Sequence, residues 1–164
     1  MEKIKSKNKV YNNTFEIAIR VLVILANLPL KRSSIYKLMV LDHISLNTYD
    51  VGGPASLHAP IPNRGVQIYS RKEILNESIK LLISKDLISL VPSINGLLYE
   101  IANNGINYLS YFESKYFNQL KDKVEWTTKK FGNFTDEDLK TYVNQNLSKW
   151  GEEFMTDGNQ ANQV

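Results

Sequence analysis

Residues Ile17 to Leu28 form an apolar run interrupted by one charge, Arg20. Ile17, Val21, Ile24, Leu25 and Leu28 recur at helical spacing. Ala18, Ile19, Leu22 and Val23 cover the remaining faces, so the helix is apolar nearly all round. Such a helix must be enclosed on every side. At about a dozen residues it is too short to span a bilayer. It has no small-residue cleavage site behind it and does not read as a secretory signal. The expectation is therefore a central, buried helix of a cytoplasmic domain, with no membrane partner.

The helix is punctuated at both ends. Asn13-Thr14-Phe15-Glu16 reads as a capping box, in which Asn13 accepts from a free N–H and Glu16 reaches back. Pro29 stops it. A second helix is expected from Ser33 or Ser34, with Ile35, Leu38, Met39, Leu41 and Leu46 on its inner face. Asn47 to Tyr69 then reads as neither helix nor strand and carries Gly52, Gly53, Pro54, Pro60, Pro62 and Gly65. Long structureless connections in small domains are usually functional or disordered.

Ser70-Arg71-Lys72-Glu73 reads as a second capping box, followed by Ile74, Leu75, Ile79, Leu82 and Ile83 at helical spacing. Leu87 to Val91 and Leu97 to Ile101 read as a hairpin turned at Asn95-Gly96. One long helix is expected from Asn104, marked by Ile106, Leu109, Phe112, Tyr116, Leu120 and Val124. Gly132 lies in a break, and a last helix starts at Thr135, with its stripe running to Trp150 and Gly151 past its end. The fold class is thus mostly α with a small β-hairpin: a winged-helix-like core with a long ordered loop and additional C-terminal helices. It makes one domain, 13–151, between a basic arm, 1–12, and a polar tail, 152–164.

Composition narrows function. The 164 residues suffice for one core, with 43% hydrophobic and 23% charged residues and no cysteine. Zinc–thiolate sites, disulfides and thiol nucleophiles are excluded. The net charge of +3 is concentrated early, with Lys3, Lys5, Lys7 and Lys9 in the arm. It reads as a solvated arm capable of weak, non-specific DNA contact. A helix-turn-helix regulator would read DNA through Arg71 to Lys85. Glu73, Glu77 and Asp86 offset the basic residues there, and more than twenty residues stand where a tight turn is needed.

No catalytic or metal constellation stands out. His43 and His58, with Asp42 and Asp50, match no ligand spacing. Ser56, His58 and Asp50 lack a nucleophile elbow. Gly52-Gly53 lacks the lysine of a phosphate loop. No cofactor is implied. The candidate surface is the loop itself, through Asp50, Gly52, Gly53, Ser56, His58 and Arg64. Its glycines and prolines suit a fixed shape, which either docks a partner or braces its own domain. Arg64 is expected to face a partner carboxylate, so that Arg64→Ala leaves the fold intact.

The run Leu41-Asp42-His43, then Asp50-Val51-Gly52-Gly53-Pro54, Ser56-Leu57-His58, Pro60, Pro62, Arg64 and Arg71, resembles the middle component (type 2) of three-component ABC-ATPase systems. The Lamassu anti-phage defence complexes are of this group. The resemblance covers roughly Phe15 to Val124. It implies a non-catalytic adaptor between an SMC/Rad50-like ATPase and an effector, often nuclease-like, subunit. A winged-helix DNA-binding transcriptional regulator is the alternative. The purified chain is expected to show no nuclease, ATPase or esterase activity. Robust turnover abolished by His58→Ala would overturn that.

Overall fold

A computed structural model describes residues 13–150. The basic arm, the polar tail and Gly151 lie outside the described residues. Helix α1 spans Thr14–Asn27, and the Asn13 side chain accepts from the Glu16 N–H at 2.9 Å. Its residues from Ile17 to Leu25 are all buried, Arg20 included. The helix stops because Leu28 precedes Pro29 and turns extended, as a residue before proline is pressed to do.

A two-residue strand β1, Arg32–Ser33, follows, and then helix α2, Ile35–Leu46. Ser34 caps α2 by accepting from Lys37 N at 3.1 Å. From Leu38 to Leu46 every residue of α2 is buried, which makes it a second central helix. Lys37 reaches across to the carbonyls of Gly132 and Phe134, each at 2.7 Å, and so fixes α2 against the C-terminal helices.

The stretch expected to be structureless contains regular pieces. A 3-10 turn spans Thr48–Val51, another Arg64–Val66, and a short helix α3, Gln67–Ser70, runs on into α4, Lys72–Ser84. The expected capping box at Ser70 does not form. Ser70 donates its hydroxyl back to Gln67 O at 3.1 Å, and Arg71 has helical backbone angles, so the chain enters α4 already coiled. Only residues 52 to 63 remain irregular.

Strands β2, Ile88–Ser93, and β3, Gly96–Ile101, form the expected hairpin. The register pairs Ile88 with Ile101, Leu90 with Tyr99 and Pro92 with Leu97. Only Gly96, at φ 119°, takes a positive angle at the tip; Asn95 does not. β1 pairs antiparallel with β3, giving a three-stranded sheet of order β1-β3-β2. The two-residue strand gave no alternation to read.

The long helix expected from Asn104 is two: α5, Asn103–Leu109, and α6, Lys115–Phe131. Ser114 separates them by capping α6, accepting from Phe117 N at 3.1 Å. Phe112 in the break packs on Tyr108 and Phe117, which preserves the apolar spacing across it. Helix α7, Asp136–Asn146, starts at a reciprocal box between Thr135 and Asp138. It ends before Trp150, which is nevertheless buried. The fold is mostly α with a small antiparallel sheet, and one core built around α1 joins α2, α4, α6 and α7. No helix among the described residues is long and apolar enough to cross a membrane.

Candidate functional site

The site grows from the charge inside α1. Arg20 donates to Asp42 of α2 through Nε at 2.5 Å and Nη2 at 3.0 Å. Its Nη1 lies 3.3 Å from Glu16, one turn earlier. A guanidinium without a partner here would carry a large desolvation cost. Burial by itself would raise the Asp42 carboxyl; Arg20 overrides this and holds it below the usual carboxylate range.

The polar chain continues outward in two directions. Arg71, at the start of α4, approaches Asp42 at 3.9 Å through Nη1 and donates through Nη2 to Gln67 at 3.0 Å. On the other side Tyr116 of α6 donates to Glu16 at 3.0 Å, and its oxygen lies 2.6 Å from His58 Nε2. The phenol has one proton. With that proton given to Glu16, His58 must donate from Nε2. Burial and then the Glu16 carboxylate push the Tyr116 phenol up, so it remains protonated. Burial depresses His58, which remains neutral. The histidine thus fastens the loop to a network anchored in α1.

The rest of the loop is tied down segment by segment. Asp50 and Arg64 form a two-bond pair: Nε meets Oδ2 at 2.5 Å, and Nη2 bonds Oδ1. Arg64 is 4% exposed. The expectation that it faces outward is therefore corrected: its fork closes the loop on itself. Gly52, at φ 76°, lets the chain reverse after the 3-10 turn. Gly53 lies flat against α6; a Cβ there would come within 2.6 Å of the Trp126 ring and 2.8 Å of Thr48 O. Lys130 of α6 donates to Val51 O at 2.6 Å. Ser56 accepts from Tyr49 N at 3.3 Å through its hydroxyl oxygen. Leu57 N bonds Leu46 O at 3.2 Å.

The six residues singled out from sequence therefore belong to one loop but to different local networks. Ser56, His58 and Asp50 each have their own partner, and no relay joins them. Among the described residues no group of three or more His, Cys, Asp or Glu could hold a metal ion. Glu16, Tyr116, Trp126 and Lys130, which position the loop, were not singled out from sequence. One signal was available for part of the network: a lone arginine in an apolar helix requires a buried acid, and Asp42 is the acid of the next apolar helix.

A cavity of about 870 Å³ lies beneath the loop. Leu57, His58 and Ile61 line one side; Arg71, Ile74 and Tyr116 line the other. His43 is buried apart from it, with its ring 5.3 Å from Trp150 and neither ring nitrogen hydrogen-bonded. Burial, aided by Arg71, pulls its pKa down to about 3.

The model of the ABC-three component system middle component 2 family matches residues 10–153. The chain belongs to this family. No curated protein and no solved structure matches it. The middle component is thus one part of a multi-component ABC system.

Two outcomes follow for this middle component. Arg64→Ala should cost about 3–5 kcal/mol in denaturant unfolding, because it leaves Asp50 buried without its cation. The Asp50→Ala/Arg64→Ala double variant should recover part of that loss. Wild-type stability of Arg64→Ala would refute the brace. His43 gives a pH signature. Its pKa is depressed in the fold, so the unfolded chain binds the proton first. Stability should fall as pH drops from about 6.5 towards about 3, with a slope approaching about 1.4 kcal/mol per unit. His43→Leu should flatten that slope between about pH 6 and 4.5; an unchanged slope would exclude His43 as its source.

Proposed function

We propose that this middle component is a non-catalytic adaptor that joins an SMC/Rad50-like ATPase to an effector subunit in the cytoplasm, within an anti-phage system of the Lamassu kind. The observation that carries the reading is the family match across residues 10–153. The loop chemistry supports it. The loop's polar side chains are engaged in internal pairs, Asp50 with Arg64 and His58 with Tyr116. A rigid loop loses little entropy when it docks.

The surface points the same way. The order α1-β1-α2-α4-β2-β3, with β3 central in the sheet, supports the reading of a winged-helix-like layout. In a DNA-reading member of that layout the hairpin would meet phosphate. Here residues 88–101 contain no lysine or arginine and one acid, Glu100. Ile94 at the tip is 100% exposed, and Leu90 and Leu97 are also exposed. Such a hairpin suits contact with protein better than with a polyanion. This favours the adaptor over the transcriptional-regulator alternative.

Co-expression of the three components with a tag on the ATPase tests the reading. The effector should co-purify with the ATPase only when the middle component is present. An ATPase–effector complex that forms equally well without this chain would overturn the bridging role.

A further inference from the structure

The cavity beneath the loop has a chemistry that the braces do not explain. Among the described residues its lining includes two arginines, Arg64 and Arg71, and no carboxylate. Arg64 is paired with Asp50. Arg71 is compensated far less well. Both oxygens of Asp42 are already bonded by Arg20, at 2.5 and 3.0 Å. Arg71 Nη1 stands 3.9 Å from that carboxylate and, among the described residues, has no hydrogen-bond acceptor, while Nη2 meets the neutral amide of Gln67. A half-buried guanidinium so placed is matched by an incoming carboxylate.

The other half of the lining is apolar, through Leu46, Leu57, Ile61 and Ile74. Large apolar side chains also stand exposed at its edge: Ile61 at 43%, with Val66 at 62% and Tyr69 at 46% beside the lining residues Gln67 and Ser70. Exposed apolar clusters around a concave site mark protein contacts. The volume of about 870 Å³ accommodates several side chains, within the roughly 300–1,000 Å³ of ordinary binding pockets. A phosphate backbone offers nothing to fill the apolar half. An arginine in a largely desolvated cleft ringed by apolar groups is a common anchor of protein interfaces.

We propose that this cleft receives an acidic segment of one of the other two components, with a carboxylate seated against Arg71 and apolar side chains against Leu57, Ile61 and Ile74. The proposal rests on the adaptor reading and names the surface that reading needs. The loop is then both braced and used: Asp50–Arg64 and His58–Tyr116 hold its outer wall in place, and the cleft behind that wall makes the contact.

The test uses the full chain and the separately purified ATPase and effector, with affinities measured by calorimetry. Arg71→Gln keeps a polar side chain and leaves the Arg20–Asp42 pair in place. Ile61→Glu puts a like charge at an exposed edge position, where folding is unaffected. Leu30→Glu, at an exposed position just past the end of α1 opposite Glu16, is the control. Arg71→Gln and Ile61→Glu should each weaken binding of one component by roughly tenfold or more, with Leu30→Glu within about twofold of wild type. If Arg71→Gln melts early, Ile61→Glu decides. If wild type binds and both cleft variants bind equally well, the cleft proposal fails and the adaptor reading stands. Displacement of the component by excess duplex DNA would assign the cleft to phosphate and overturn the proposal. If wild type binds neither component, both readings fail together.

Discussion

The pair between Arg20 and Asp42 is the constraint on which the rest of the arrangement depends. It joins the two helices that are buried almost throughout, α1 and α2. A charge in such surroundings is tolerated only when its partner is in place with good geometry. Sliding either helix along the other by a turn would separate the two, leaving uncompensated charges in the core at a penalty of about 3–5 kcal/mol. Apolar contacts between Leu, Ile and Val could be satisfied in several registers; the two-bond pair is satisfied in one. The pair also sets the direction in which polarity leaves the core. Glu16 balances the third nitrogen of Arg20, Tyr116 donates to Glu16, and His58 donates to Tyr116. A loop residue is thereby connected to the middle of the most buried helix.

The loop is organised by the same rule. Backbone without regular structure must satisfy its polar groups locally. Between Asn47 and Arg64 this is done from three sides: by the loop itself through Thr48, Ser56 and Asp50–Arg64, by α2 through Leu46 O, and by α6 through Lys130. Gly53 is the point of closest approach, where the absence of a side chain lets the backbone lie on Trp126. The glycines and proline of the motif therefore shape a fixed wall, and the polar residues hold it.

Much of the fold was legible because its signals are local. The apolar run from Ile17, the caps at Asn13 and Ser34, Pro29, and the Asn95-Gly96 corner each act within a few residues. The errors came where a distant partner or a competing bond decided the outcome. Ser70 turned its hydroxyl to Gln67 and not to the next turn. Phe112 kept the helical spacing while Ser114 broke the helix. β1 exists only because β3 lies beside it. The loop residues were found in sequence by composition, but the orientation of Arg64 was not, because its partner Asp50 is fourteen positions away on the far side of an irregular segment. Tyr116 lies 58 residues from His58 and 100 from Glu16, and no spacing rule connects them.

These arrangements together separate two kinds of surface. Between Asp42 and Arg71 the charged side chains are turned inward, and both carboxylates, Asp42 and Asp50, are paired with an arginine. Where the chain is plainest in sequence, at the hairpin, Leu90, Ile94 and Leu97 face solvent although β-branched and leucine side chains are the ones a small domain most needs to bury. A domain of this size leaves such groups exposed at little advantage to itself, and their protrusion on a two-stranded arm keeps them clear of its own core. The hairpin and the cleft differ in chemistry, one apolar and convex, the other concave with an undercompensated cation. Two unlike surfaces on one domain suit two unlike neighbours, which is what the proposed adaptor role requires. The internal pairing of the loop then matters for recognition as well as stability, because a cleft discriminates between partners only if its walls hold their shape when it is empty.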